Sequence, residues 1–296
     1  MYKNFENLIK KTRLKGKKEI CVAVAEDEAV LKAIKKAEEL DLIIPKLFGD
    51  EKKINEISKI IELNNYEVIN CKDDEESVHE AVRYTSKSTD RILMKGFVNT
   101  SIFMRGILDK KNGLMDNRLL SLLAVYELKE YHKLLYCTDS GINTAPNLKQ
   151  KKEILINAVH IMKDMGFERI KIVALTANEM VNPKIPATVD AKALVDFVKN
   201  KEMRECIIEG PIAFDVAFSK KSAEHKKIDS KIAGDVDLIV FPNIETGNAL
   251  GKSWLHFNKA KWAGIVLGAK NPIILGSRSD TPEIKINSIA IACSII

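Results

Sequence analysis

Short apolar runs rich in β-formers alternate with longer helical patterns along the whole chain, and this alternation constrains the fold more than any single motif. Candidate strands are Ile20–Ala25, Ile43–Phe48, Tyr66–Ile69, Arg91–Lys95, Leu134–Cys137, Ile170–Leu175, Glu205–Ile208, Leu238–Phe241, Gly264–Leu267 and Ile273–Leu275. Helical patterns between them include Glu28–Leu40, Asp74–Ser86, Leu148–Met165, Ala191–Asn200 and Thr246–Ala260. Alternation repeated this often predicts βαβ units around parallel sheets, an α/β fold. Aromatic residues make up only 6% of the chain against 46% apolar overall, so the core is expected to be built from Ile, Val, Leu and Ala. A length of 296 residues favours two domains. The turn-rich segment Thr138–Leu148, with Asp139, Gly141, Asn143 and Pro146, reads as a crossing point between two lobes. Asn271-Pro272 introduces a last strand, after which the chain turns into a terminal helix.

Charge and cysteine usage narrow the function classes. The formal net charge is +6, and the densest basic cluster is Lys15-Gly16-Lys17-Lys18. Basic residues are not interleaved with aromatics, which argues against nucleic acid and suits a small polyanionic substrate. Five cysteines (Cys21, Cys71, Cys137, Cys206 and Cys293) are an odd number at wide spacings with no C-x-x-C pair. Reduced thiols in a cytoplasmic protein are expected, with no disulfide framework and no zinc site. The five histidines show no ligand spacing either, so no metal is expected. The amphipathic N-terminus lacks an uninterrupted apolar signal segment, and no stretch approaches the ~18 to 20 apolar residues that cross a bilayer.

The segment "FPNIETGNALGKSW", residues 241–254, ends in Gly251-Lys252-Ser253 and resembles a phosphate cradle. A P-loop needs four residues between its outer glycines, whereas three separate Gly247 from Gly251. Its lysine also falls too far from the strand end, so a nucleotide-hydrolysing loop is rejected. The start of this helix could still meet an anion through Asn248, Lys252 and backbone amides near Gly247. The bland alternative is a strand–helix turn without a ligand.

Three further stretches carry polar groups past strand ends. In "EGPIAFDVAFS", residues 209–219, the chain bends at Gly210-Pro211, and Asp215 either meets a ligand or caps a helix. In "PIILGSRSD", residues 272–280, Arg278 offers a planar fork of donors to phosphate and Ser277 can bond a reacting oxygen. Asp280 there can accept a proton or cap the helix that Pro282 opens. In "LMKGFVNTSIFMRGIL", residues 93–108, Asn99, Thr100 and Ser101 follow a strand, and Arg105 either reaches into a cleft or lies on the surface.

Together with "YHKLLYCTDSGINTAPNL", "VNPKIPATVDAKAL", "AGDVDLIVFPNIETGNALGKS" and "AGIVLGAKNPIILGSRSD", these stretches resemble the phosphate acetyltransferase/phosphate butyryltransferase family over nearly the whole chain, leaning to the butyryltransferase branch. The resemblance implies two α/β lobes with mainly parallel sheets and an interlobe cleft, an isocitrate/isopropylmalate dehydrogenase-like architecture. It places 1–140 plus 272–296 in the first domain and 141–271 in the second. It also implies a homodimer or larger homo-oligomer. The reaction implied is reversible conversion of butanoyl-CoA, or a similar acyl-CoA, and phosphate to acyl phosphate and CoA. Coenzyme A is a substrate there, and no cofactor is implied.

Carried over by position, Ser277 and Arg278 match the family's active-site pair, with Asp280 as the third catalytic candidate. Arg105 matches the arginine after the polar turn, and Gly247, Asn248 and Lys252 match a "G-N-x-x-x-K" segment. Asn99, Thr100, Asp139, Asn143, Gly210, Pro211, Asp215 and Glu245 complete the expected substrate-binding set. One departure matters. Acetyltransferases carry an aspartate six residues after the arginine as the proposed thiol base, and here that position is Ile284. Asp280, or else Glu283, has to substitute.

The mechanism implied is direct transfer in a ternary complex, the thiolate meeting the acyl-phosphate carbonyl without a covalent enzyme intermediate. Three rivals are weighed against it. A phosphate acetyltransferase differs only in its acyl pocket. A metal-dependent hydroxyacid dehydrogenase would need a carboxylate cluster that the scattered acids do not offer. A catalytically silent acyl-CoA-binding protein would have no need of Ser277 and Arg278.

Overall fold

The computed structural model describes residues 2–201, 203–276 and 280–296. The chain opens with α1 (Phe5–Arg13), β1 (Lys18–Ala23), α2 (Glu28–Glu39), β2 (Ile43–Gly49), α3 (Glu51–Ile61), β3 (Glu67–Asn70), α4 (Asp74–Thr85), β4 (Arg91–Lys95) and α5 (Thr100–Ile107). It continues through β5 (Ser121–Glu127), β6 (Leu135–Thr138), α6 (Leu148–Asp164), β7 (Ile170–Leu175), α7 (Pro186–Asn200), β8 (Cys206–Ile212), α8 (Phe214–Phe218), α9 (Lys220–His225), β9 (Leu238–Val240) and α10 (Ile244–Phe257). The last elements are β10 (Lys261–Leu267), β11 (Ile273–Ile274) and α11 (Pro282–Ser294).

Two compact units result, one from residues 2–118 and 262–296 and one from residues 119–261. The expected boundaries at 140/141 and 271/272 lie further along the chain than these. Strand pairing explains the difference. β5 runs antiparallel to β6, with Ala124 opposite Cys137, and β6 pairs with β9, so all three strands belong to the same unit. At the other end Val266 pairs with Ile273 and Met115 bridges Ala269, which ties β10 to the first unit.

The first unit orders its strands β3-β2-β1-β4-β11-β10. All neighbours are parallel except β10, which is antiparallel to β11. Residues 20–23 of β1 are fully buried, as a strand covered by helices on both faces requires. Three successive strand–helix turns each end in an aspartate. Asp27 accepts from the Val30 amide, Asp50 from those of Lys52 and Lys53, and Asp73 from that of Glu76. Each satisfies a donor that the first helical turn leaves open.

The second unit orders its strands β5-β6-β9-β7-β8, with only β5 antiparallel. α6 begins in a reciprocal capping box between Asn147 and Gln150, and Pro186 opens α7. The strand β5 is absent from the sequence-based expectation. Its run Ser-Leu-Leu-Ala-Val-Tyr-Glu has no polar–apolar alternation, and periodicity cannot separate such a run from a buried helix.

A charge network with a buried Lys133–Asp237 pair at its centre ties the starts of β6, β7 and β9 together. Lys133, 1% exposed, donates to Asp237 and lies 2.6 Å from both the Asp235 and Asp237 carboxylates. Lys171 also pairs with Asp235, and its amide donates to Asp237 at 2.8 Å. Burial alone would raise the Asp235 pKa, but hydrogen bonds from Lys133, Lys171 and His132 outweigh it and hold the carboxyl well below the usual range. A depressed carboxylate stabilises the fold above its ordinary value of about 4, and that share is lost as pH falls toward the lower folded value. Lys133→Met leaves the buried Asp237 and the partly exposed Asp235 without their shared ammonium and is expected to cost about 3–5 kcal/mol at neutral pH. Urea unfolding measures this, and the gap should narrow below about pH 4, where the wild-type protein loses the stability held by the depressed Asp235 carboxyl.

Candidate functional site

In the first unit the candidate residues collect where β1, β4 and β11 end. Parallel strands bring their C-terminal ends to one edge, and the chain leaves β1 for β2 on one side and later returns to β4 on the other. Such a reversal of strand order opens a crevice for ligands. Gly96 follows β4 directly, and a Cβ there would lie 2.1 Å from the Val24 carbonyl oxygen. Only glycine allows that approach. Lys95, 4% exposed, donates to the carbonyls of Gly96 at 3.3 Å and Val98 at 3.0 Å, which shapes the turn after β4.

That turn delivers Asn99 and Thr100, both exposed, to the start of α5. Asn99 occupies the N-cap position without making a side-chain capping bond. Arg105 lies in the last turn of α5, exposed, and pairs with Glu75 of α4 at 3.2 Å. A pair this open to water is held weakly, by roughly 1 kcal/mol or less, and an anion can displace it. Asp280 is half-buried just before α11. The helix cap is Thr281, whose side chain accepts from the Ile284 amide, so the capping alternative for Asp280 falls away. Ser277 and Arg278 lie outside the described residues.

In the second unit the candidates gather around the ends of β6 and β9. Asp139 builds the turn after β6, its carboxylate accepting from the amides of Gly141 at 2.8 Å, Ile142 at 3.0 Å and Asn143 at 3.1 Å. The Asn143 side chain donates to Asp139 at 2.7 Å and to the Leu120 carbonyl at 2.8 Å. Both expected substrate ligands therefore engage the loop itself, and they shape it. The Thr138–Asp139 and Gly210–Pro211 peptides are cis. Gly210 and Pro211 lie inside β8 rather than beyond it. Asp215 stands exposed in the first turn of α8 and pairs with Lys226 at 3.0 Å, while Ala213 holds the N-cap position.

The segment that imitated a P-loop is helical from Ile244 onward. α10 starts at Ile244, capped by the Asn243 side chain, and the Gly247 amide donates to the Asn243 carbonyl at 3.4 Å. The expected anion-facing amide at Gly247 is thus engaged within the helix. The two glycines serve close packing instead. A Cβ on Gly247 would meet Phe241 at 2.6 Å and Ser140 at 2.8 Å, and one on Gly251 would meet the Tyr126 hydroxyl at 2.2 Å. Four residues apart, they form one helical face pressed onto β5 and the ends of β6 and β9. Glu245, Asn248 and Lys252 are left exposed, and Asn248 donates to the Ser140 carbonyl at 3.4 Å. Sequence reasoning missed Ser140 and Tyr126, which lie more than a hundred residues from the glycines they touch.

None of the five thiols is an activated nucleophile. Burial pushes Cys21 and Cys71 up to about 11, Cys206 and Cys293 up to about 12, and Cys137 well above the ordinary thiol value. The thiolate is the reactive form, so a raised pKa suppresses attack. Among the described residues no cluster of three or more His, Cys, Asp or Glu is arranged to hold a metal ion, and no helix is long and apolar enough to cross a membrane.

Comparison with known proteins defines the class to which these features belong. Residues 87–293 match the family model described as "Phosphate acetyl/butaryl transferase". A Bacillus subtilis (strain 168) protein named "Probable phosphate butyryltransferase" is 41% identical, covering 97% of this chain and 96% of its own. The phosphate butyryltransferase of Clostridium acetobutylicum is 36% identical over 100% of this chain and 99% of its own. The phosphate acetyltransferase of Thermotoga maritima is 35% identical over 97% and 98%.

Among solved structures, a branched-chain phosphotransacylase from Enterococcus faecalis V583 superposes with a TM-score of 0.82 at 30% identity, covering 93% of this chain and 98% of that one. A 4-hydroxythreonine-4-phosphate dehydrogenase from Klebsiella pneumoniae, 13% identical with a TM-score of 0.55, covers 95% of this chain and 99% of its own and shares the fold alone. The chain belongs to the phosphate acetyl/butyryl transferase family, the phosphotransacylases, and its α/β architecture is the one expected.

The packing role of the glycines is testable. Gly251→Ala gains helix propensity but drives a methyl into the Tyr126 hydroxyl, for an expected net loss of about 1–3 kcal/mol. Adding Tyr126→Phe removes the nearest atom and should recover at least half of that loss in thermal unfolding.

Proposed function

We propose that this chain is a phosphate acyltransferase that reversibly converts butanoyl-CoA, or a similar short-chain acyl-CoA, and phosphate to the acyl phosphate and free CoA. One observation carries the reading: identity of 36% and 41% to proteins named as phosphate butyryltransferases spans essentially the whole chain, including every segment that bears a candidate residue. In the forward direction a phosphate oxygen attacks the thioester carbonyl. The C–S bond breaks and the CoA sulfur leaves as thiolate, to be protonated. In reverse, a base takes the thiol proton and the sulfur attacks the acyl-phosphate carbonyl. A free thiol with a pKa of about 8.5 is mostly protonated at neutral pH, so that base matters to the rate.

In this reading Arg278 holds the phosphate charge through a planar fork of donors, and Ser277 bonds the transferring group. Asp280, four residues before the position that Ile284 fills here, is the proton acceptor. Asn99, Thr100, Arg105, Glu245, Asn248 and Lys252 bind substrate from exposed positions. Asp139, Asn143, Gly210, Pro211, Asp215 and Gly247 complete the substrate-binding set by shaping loops and a helix of the second unit. Direct transfer is favoured over an acyl-cysteine because burial holds every thiol in its protonated form. A cytoplasmic homodimer or larger homo-oligomer belongs to the same proposal.

The test is phosphate-dependent release of CoA thiol from butanoyl-CoA. Arg278→Ala should lower turnover about 10²–10³-fold with the thermal transition retained. Turnover unchanged in that variant, or thiol release independent of phosphate, would overturn the assignment. Acetyl-CoA in the same assay addresses the second reading, favoured by the 35% identity to a phosphate acetyltransferase. Each methylene carries about 1–3 kcal/mol of discrimination, so butanoyl-CoA should exceed acetyl-CoA in kcat/KM by at least tenfold.

A further inference from the structure

Lys285 occupies a place that two physical effects disfavour. It lies in the first turn of α11, where the helix dipole repels a cation, and it is only 4% exposed. Burial lowers its pKa, and the carboxylates of Asp280 and Asp27 act in the opposite direction. A local rule broken without gain to the helix marks a position held for another reason.

What the ammonium holds is Asp280. The Lys285 Nζ donates to the Asp280 carbonyl at 2.5 Å, and the Lys285 amide closes the helical turn on the Thr281 carbonyl at 3.2 Å. Fixing that carbonyl fixes the peptide plane after Asp280 and leaves its carboxylate only two side-chain torsions. The carboxylate folds back over Gly276, one oxygen lying 3.4 Å from where a Cβ on that glycine would stand. Asp27, anchored as the cap of α2 by the Val30 amide at 2.9 Å, adds its charge to the field around the ammonium. Asp27 ends the turn after β1 and Asp280 follows β11, both at the C-terminal edge of the parallel strands.

We propose that Lys285 is the positioning residue for Asp280, setting the carboxylate that accepts the CoA thiol proton; the inference rests on the role of Asp280 given above. An anchored carboxylate explains how a chain with Ile284 at the usual aspartate position retains a proton acceptor. The lysine donates from behind the loop, and the aspartate does the proton transfer.

The experiment is a double-mutant cycle in the reverse direction, CoA plus butanoyl phosphate, with the intact protein. Lys285→Met should lower kcat about 10–100-fold while KM for CoA stays within about threefold, because alignment and not binding is lost. Asp280→Asn should lower kcat at least as far, and the double variant should fall no further than Asp280→Asn alone, within about threefold. Lys285→Arg, which keeps a cationic donor, should recover most of the loss. If Lys285→Met does not fold, Lys285→Gln takes its place in the cycle, read the same way against Asp280→Asn. A kcat for the lysine variant within twofold of wild type while Asp280→Asn is impaired overturns this inference alone, as do losses that multiply in the double variant. Wild-type turnover in Asp280→Asn overturns both the base and its positioning residue. A wild-type protein without phosphate-dependent activity overturns the proposed function itself.

Discussion

Parallel hydrogen bonding between strands buried on both faces is the constraint on which the rest of each unit depends. Neighbouring parallel strands cannot be joined by a tight turn, so each pair requires a crossover, and the crossovers here are helices. The same geometry sends the C-terminal ends of the parallel strands of each unit to one edge. Loops at that edge carry the polar side chains, while the strands beneath are apolar and rigid. Asp27, Asp50 and Asp73 repeat one solution to the turn, an aspartate that ends the loop and starts the helix.

The α10 glycines illustrate how one sequence pattern can serve two unrelated physical ends. A phosphate loop needs amides that point at the ligand and are bonded to nothing else. In α10 the amide of Gly247 is already committed to the helix, and both glycines exist so that the helix backbone can lie against Tyr126, Ser140 and Phe241. The exposed face of the same helix carries Glu245, Asn248 and Lys252. Close packing on one face thus fixes the position of the polar face opposite, which is how a core constraint becomes a functional one.

Much of this was legible in the chain. The expected strands at Arg91–Lys95 and Ile170–Leu175 match β4 and β7, and the expected helix ends fall within a few residues of those observed. β5 was not legible, since a continuous apolar run fits either structure until a partner strand is known. The part that Asp139 and Asn143 play in building the loop was not legible for a related reason. A polar residue after a strand looks the same in sequence whether its hydrogen bonds turn inward to the loop or outward to a ligand. Here the Asp139 carboxylate takes three loop amides. Likewise Thr281, and not Asp280, caps α11, which no spacing rule separates.

The amino-acid sequence by itself determined the α/β class, the reduced and widely spaced cysteines and the family, because those follow from local periodicity, composition and the order of short motifs. The tertiary structure decided which residues share a boundary, a turn or a helix face: where the units divide, what Gly251 packs against, and that Lys285 grips the carbonyl of Asp280. Such facts depend on contacts between distant segments. Local chemistry leaves many pairings open, and burial of the assembled sheet selects one of them.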